Sequence, residues 1–243
     1  MNNQTVLITG GARRLGKSIS EHLGAKGYRV IIHHDQSGDE AQQLADLINE
    51  GGGDAHCVQA HLSDETSCKN LAVTVRKSFG DIHHLINNAS IFPEDTLNTL
   101  NADSIQENFN INTLVPLFLA RTLHESGTLA TVTNLLDTRI QDYDRQHVSY
   151  HLSKRALQSL TAMMALEWAP EVRVNGIAPG LILPPEGQTE EHLEALRHTN
   201  PLNHIGNPLE VSETIDFLIS NPSITGQIIY IDGGRHLKGR VYE

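Results

Sequence analysis

The chain has 243 residues, 39% of them hydrophobic and 19% charged, with a formal net charge of −11 at pH 7. That length and balance suit a folded α/β domain with a large core and exclude a disordered chain. So acidic a surface argues against nucleic acid or an anionic membrane as a partner, because both are held through Lys and Arg, but it leaves room for one phosphorylated small molecule bound by a local basic pair.

Taken in order, short β-branched runs alternate with longer amphipathic segments. Strands are expected at Val6 to Thr9, Arg29 to His34, Ala55 to His61, His84 to Asn88, Ala130 to Leu136, Arg173 to Ile177 and Gln227 to Ile231. Helices are expected near 15–26, 39–50, 64–79, 102–125, 150–169 and 208–220. Several strands are almost wholly apolar, the signature of a parallel sheet covered on both faces. The alternation predicts one α/β domain over residues 1–243: a doubly wound, Rossmann-type parallel sheet of about seven strands with helices on both sides. Ligands of such sheets bind at the C-terminal edge of the strands, near the switch in strand order. Residues 181–207, with Pro184-Pro185, several charges and a short helical pattern, are too long for a passive connection and are expected to form a substrate loop.

No stretch approaches the ~20 apolar residues of a membrane span. The opening MNNQTVLITGG has neither a basic nor a long apolar run, so a cytoplasmic location is expected. Cys57 and Cys68 are neither spaced as metal ligands nor numerous enough for a disulfide framework, and the 14 histidines form no H-E-x-x-H set, so no metal is expected.

The first strand runs into Thr9-Gly10-Gly11-Ala12-Arg13-Arg14-Leu15-Gly16 and then a helix. Glycines at such a turn let backbone amides approach a pyrophosphate at the helix N-terminus. Arg13 and Arg14 supply cations for a 2′-phosphate, which points to NADP(H), whereas an NAD enzyme usually carries an acid at the end of its second strand. Asp35 lies about one position beyond that place. Tyr150 and Lys154 are four apart on a predicted helix and share a face. A neighbouring ammonium is expected to lower the tyrosine pKa from about 10 and suit it to acid–base work. Asn87-Asn88-Ala89 ends the fourth strand, Asn112 precedes Pro116 in a helix, Pro179-Gly180 follows the sixth strand and Asp232-Gly233-Gly234 the seventh.

This combination resembles the short-chain dehydrogenase/reductase family over almost the whole chain. The turn is similar to T-G-x-x-x-G-x-G, with Arg14 in place of the middle glycine. The family's usual Ser before the Tyr is Asp137 here; with Asn87-Asn88-Ala89-Ser90-Ile91-Phe92, Gly180-Leu181-Ile182-Leu183 and Asp232-Gly233-Gly234-Arg235-His236-Leu237, it resembles the pteridine reductase and dihydromonapterin reductase branch. The resemblance implies that Asp137 and Tyr150 handle a proton, that Lys154 lowers the Tyr pKa and holds the nicotinamide ribose, and that Asn112 anchors a water. It implies cofactor contacts at Gly10, Arg13, Arg14, Leu15, Gly16, His34, Ser37, His61, Leu62, Asn88, Ala89, Ser90, Tyr150, Lys154, Pro179, Gly180 and Ile182. It implies a pterin stacked on Phe92 and touched by Arg14, Ser90, Asp137, Tyr150 and Leu181, and it implies a homotetramer. Three positions depart from the pattern: Gln36 replaces a basic residue, His61 an acid that reads the adenine amino group, and Ile182 a small polar residue. Two other readings fit the motifs: a short-chain reductase of a ketone, sugar or acyl carbonyl, and a non-catalytic sensor of NADP(H).

Overall fold

In a computed structural model of the chain, which describes residues 4–141 and 145–238, seven strands form one sheet. They are β1 (Thr5–Ile8), β2 (Arg29–His34), β3 (Asp54–Gln59), β4 (His84–Asn87), β5 (Thr131–Leu135), β6 (Arg173–Pro179) and β7 (Ile228–Ile231). The order is β3-β2-β1-β4-β5-β6-β7, and every pairing is parallel. All strands therefore end on the same edge, and the order reverses between β1 and β4. The neighbourhood of Gly10 and Asn88 lies at that reversal, where ligands of open α/β sheets bind.

The strands are apolar on both sides because both sides are covered. Successive strand residues point to opposite faces. Val6, Ile8, Val30 and Ile32 pack with Ile19 and Leu23 of α1 (Arg14–Ala25), Leu44 of α2 (Gly38–Glu50) and Ile215 of α8 (Pro208–Ser220). Leu7, Ile31, Leu85 and Val132 pack on the other face with Leu71 of α3 (Glu65–Phe79), Leu119 of α5 (Val115–His124) and Met164 of α6 (Val148–Glu167). Each fully buried Leu or Ile contributes roughly 1.5–3 kcal/mol, so the two cores fix the strand register that aligns the loops at the edge.

The continuous helix expected over 102–125 is broken. It consists of α4 (Ala102–Phe109), a π-helical turn (Asn110–Leu114) and α5. The cause is Pro116, which has no N–H to give the carbonyl of Asn112. The ladder slips by one residue, and the Val115 N–H donates to the carbonyl of Asn110 instead. Such π-turns occur frequently at functional sites. Two further helices are short: α7 (Glu190–Leu196), within the expected loop 181–207, and α9 (Arg235–Lys238) after β7. Among the described residues, no helix is long and apolar enough to cross a membrane, and no group of three or more His, Cys, Asp or Glu is placed to hold a metal ion.

Candidate active site

The turn after β1 is built for close backbone approach. Gly10 has φ +60°, in the left-handed region. A Cβ on Gly16 would lie 2.1 Å from the carbonyl oxygen of Gly10, so the first turn of α1 can rest on the loop only if that residue is glycine. Arg14 also takes a positive φ, of 52°, although it carries a side chain; this costs roughly 1–2 kcal/mol. Its guanidinium donates to the carbonyl of Pro184, tying the turn to the 181–207 segment. Asn88 clamps the turn to the end of β4: its side-chain amide donates to the carbonyls of Thr9 and Gly10, both at 2.9 Å. The N–H groups of Asn88 and Ala89 each donate to Thr9 Oγ1 at 3.0 Å.

A cleft of about 460 Å³ runs along this edge. Its wall includes Gly10, Arg13, Arg14, Leu15 and Gly16 from the turn, His34 at the end of β2 and Ser37 after it, His61 and Leu62 after β3, and Asn88, Ala89 and Ser90 after β4. Those twelve residues of the expected cofactor set are thus brought together. Pro179 and Gly180 stand at the end of β6, where Gly180 N–H donates to the carbonyl of Ile231 at 2.9 Å. Leu181 and Ile182 are buried, and Ile182 packs in the core with Val211 and Ile215. The departure from a small polar residue at Ile182 is therefore a core-packing feature.

His33, which the sequence reading left out, organises the cleft. The N–H of Gly10 donates to its Nδ1 at 3.2 Å, and its Nε2 is 3.0 Å from the carbonyl of Ala60. The ring is thus a neutral bridge, with its proton on Nε2, between the turn and the end of β3. Burial lowers its pKa from 6.5 to about 4. Above pH 6.5 the imidazole is neutral whether the chain is folded or not. Below it the unfolded chain takes up a proton that the folded protein refuses until about pH 4, so stability is lost as pH falls through that window. The full effect is on the order of 3 kcal/mol. Urea titrations at about pH 6.5 and about pH 5 should show a steeper loss for the wild type than for His33→Gln; equal slopes would contradict this assignment.

Beyond Ser90 lies the proposed chemistry. Tyr150 and Lys154 project from the first turns of α6 and are both buried. The Tyr150 hydroxyl donates to Asp137 Oδ2 at 3.0 Å, and Asp137 Oδ1 accepts from the N–H of Arg139 at 2.7 Å. Lys154 Nζ donates to the carbonyl of Leu135 at 2.7 Å and stands 5.7 Å from the centre of the Tyr150 ring. The expectation that Lys154 lowers the Tyr150 pKa is corrected here. Burial, and then the adjoining Asp137 carboxylate, push the phenol well above its usual value. Burial pulls the Lys154 ammonium down to about 8, against the upward pull of Asp137.

A buried polar chain holds this group in place. Asp95 accepts from the N–H of Ser149 at 3.1 Å and from its hydroxyl, capping α6 from a remote loop. Asn108 donates to the Ser149 hydroxyl at 2.9 Å. Asn112 donates to Asn108 Oδ1 and Ser153 Oγ, each at 3.1 Å, and to the carbonyl of Ile91 at 3.0 Å. Its Oδ1 accepts from Ile91 N–H at 2.9 Å and from the Ser90 hydroxyl at 3.1 Å. The side chain of Asn112 is fully committed to protein groups, so a water there would have to use its backbone carbonyl. On the other flank Asp232 accepts from Thr138, the neighbour of Asp137, and from the N–H groups of Gly234 and His236. Burial works against the Asp232 charge, but the bonds from Thr138, His236 and Gly234 hold its carboxyl below the usual range.

Phe92, 43% exposed, follows the cleft residues Ser90 and Ile91 in the chain. One face stacks on His147, with ring centres 3.7 Å apart, and Tyr150 meets it edge-on at 4.6 Å. His147 takes φ 57° and its Nδ1 lies 2.8 Å from the carbonyl of Pro93.

The family model described as enoyl-(acyl carrier protein) reductase matches residues 10–236. The chain belongs to the short-chain dehydrogenase/reductase family. It is an oxidoreductase, and its turn, cleft and Tyr–Lys pair occupy the edge that this fold uses. It is similar to dihydromonapterin reductase of Escherichia coli (strain SMS-3-5 / SECEC), 31% identical over 96% of this chain and 97% of that one. It is also similar to versicolorin reductase 1 of Aspergillus parasiticus, 28% identical over 96% of this chain and 97% of that one. Among solved structures, the FolM alternative dihydrofolate reductase 1 of Brucella canis, complexed with NADP, superposes with a TM-score of 0.92 at 38% identity, covering 99% of this chain and 96% of that one.

The residues present fit a dinucleotide. A Cβ on Gly16 would fill the cradle at the start of α1, whose N-terminal amides suit a pyrophosphate. Nδ1 of His34, buried in the cleft wall, has no hydrogen-bond partner among the described residues.

Proposed function

We propose that the chain reduces a dihydropterin of the dihydromonapterin, dihydrobiopterin or dihydrofolate type to its tetrahydro form, using NADPH. Residues 1–243 act as one catalytic domain, with 181–207 as the substrate segment. The observation that carries the reading is the 3.0 Å bond between Tyr150 and Asp137, a carboxyl where carbonyl-reducing relatives usually have a hydroxyl. A carboxyl partner suits protonation of a ring nitrogen. The likeness to a dihydromonapterin reductase and to a FolM dihydrofolate reductase bound to NADP supports the same reading.

When bound, NADPH supplies the hydride. Tyr150 and Asp137 hold the proton delivered to the ring nitrogen. The raised Tyr150 pKa keeps the phenol protonated until transfer. The Lys154 ammonium, 5.7 Å from the Tyr150 ring, offsets the negative charge left on the pair and would hold the nicotinamide ribose. Asn112 holds Ser90 and Ile91 beside the ring site, and its backbone carbonyl, which Pro116 cannot serve, anchors a water that resupplies the proton. Arg14 would hold a cofactor phosphate and the pterin edge, and its bond to the Pro184 carbonyl ties the 181–207 segment to the turn. Pro179, Gly180 and Ile182 contribute backbone to the nicotinamide side, and Leu181 bounds the substrate. The homotetramer implied by the family resemblance belongs to this reading, and light scattering of the purified protein tests it.

Phe92 offers its exposed side to the pterin. An aromatic stack contributes about 0.5–1.5 kcal/mol beyond area burial. Phe92→Ala is therefore expected to raise the pterin KM roughly tenfold with NADPH affinity nearly unchanged. Equal loss of both, with a lower Tm, would make Phe92 a packing residue only.

The likeness to a putative ketoacyl reductase of the granaticin polyketide synthase of Streptomyces violaceoruber, 28% identical, favours a second reading, reduction of a carbonyl. NADPH consumption followed with a panel of dihydropterins and ketones separates the two. Turnover with dihydropterins supports the proposal, turnover with ketones alone supports the second reading, and binding without turnover would sink both.

A further inference from the structure

The adenosine end of the cleft carries an acid one position past the end of β2, next to the place where an acid ordinarily favours NAD, and the structure gives that acid a partner. β2 and β3 run side by side in register, His34 opposite Gln59. Asp35 therefore leaves the sheet beside Ala60 and His61. The Ala60 N–H donates to the carbonyl of His34 at 3.0 Å, and Gln59 Nε2 donates to the carbonyl of Asp35 at 2.9 Å. The two backbones are thus locked together one step beyond the strands. On that base His61 Nδ1 sits 3.0 Å from Asp35 Oδ2.

Both residues line the cleft. A free carboxylate at this place accepts a hydrogen bond from the ribose 2′-hydroxyl and repels a 2′-phosphate. Here one carboxylate oxygen is occupied by an imidazole donor. Arg13 of the turn, which also lines the cleft, is itself 3.9 Å from Glu40 of α2. His33 is kept neutral by its burial, with Nδ1 accepting from the Gly10 N–H. Glu186 of the 181–207 segment, which also lines the cleft, adds negative charge. His61 is thus the group in contact with the Asp35 carboxylate.

We propose that His61 is a specificity-determining residue: by engaging the Asp35 carboxylate it converts an NAD-type second strand into one that accepts a 2′-phosphate. The inference rests on the NADP(H) reading and deepens it. As a fold-stabilising contact the pair is worth little, because both side chains are substantially exposed. Its consequence is for the ligand, whose phosphate would meet either an occupied acid or a bare one.

The test is calorimetric binding of NADP+ and NAD+ to the full chain and to His61→Ala, Asp35→Asn and the double variant, without turnover. Hydrogen bonds to charged groups span about ten- to a hundredfold in affinity, and exposure places this one at the lower end. His61→Ala is expected to weaken NADP+ about tenfold while leaving NAD+ unchanged or tighter. Asp35→Asn alone keeps the NADP+ affinity. Adding it to His61→Ala restores most of what was lost. Equal weakening of both cofactors by His61→Ala, or no recovery in the double variant, overturns the inference while leaving the NADP(H) reading intact. A wild type that binds NAD+ as tightly as NADP+ overturns the NADP(H) reading and the inference with it.

Discussion

Tyr150→Phe should lower dihydropterin turnover by roughly 100- to 10,000-fold, the range for loss of a positioned acid–base group. Cofactor binding should be unchanged. Among the described residues the hydroxyl bonds to Asp137, and the ring itself packs against Phe92 and His151. Phenylalanine keeps that ring, so the fold and the turn around Gly10 are preserved while the transferable proton is removed. Lys154 keeps its bond to Leu135 and its place. A Phe variant with near wild-type kcat would remove Tyr150 from the mechanism, whereas a loss of NADPH affinity of the same size would make its role structural.

Asp137→Ser should have an effect of similar size on pterins. Serine restores the hydroxyl common in carbonyl-reducing relatives, but it removes a carboxyl that bridges the Tyr150 hydroxyl and the Arg139 N–H. With that acid gone, ring-nitrogen protonation loses half of its proton pair, and a drop on the order of 100-fold in kcat is expected. The neighbouring Thr138–Asp232 contact is untouched, so the segment stays anchored. The sign of a second readout is also set. Removing the carboxylate relieves one of the two causes that raise the Tyr150 pKa, so the phenol of the Ser variant should titrate at lower pH than in the wild type. Wild-type pterin turnover by the Ser variant, or an unmoved phenol, would contradict the pairing.

Much of the architecture was legible because burial on both faces leaves a strong mark. Arg29 to His34 matches β2 in full, and the other strands fall within a few residues of their expected ends. The helix over 102–125 was legible as apolar periodicity, but its π-turn was not. Pro116 announces a break without stating that the ladder will slip by one residue and survive. The Tyr150–Lys154 spacing was readable as a shared helix face. The charge balance on Tyr150 was not, since it depends on Asp137, which the sheet edge brings up from the end of β5. The same limit hid His33, Asp95 and His147. Each acts through a partner distant in sequence: Ala60 for His33, Ser149 for Asp95, Phe92 for His147. Asp35 read as an obstacle to NADP(H) while seen alone. Only the register of β2 against β3 put His61 beside it.

The central claim is hydride transfer to a dihydropterin ring. It is tested most directly by incubating the purified protein with dihydromonapterin and NADPH deuterated at the transferable position, then examining the product by NMR. The account predicts tetrahydromonapterin carrying deuterium on the ring carbon next to the newly protonated nitrogen, formed by the wild type and not by Tyr150→Phe. NADPH that is bound but not consumed, or a product without deuterium on that carbon, would contradict it.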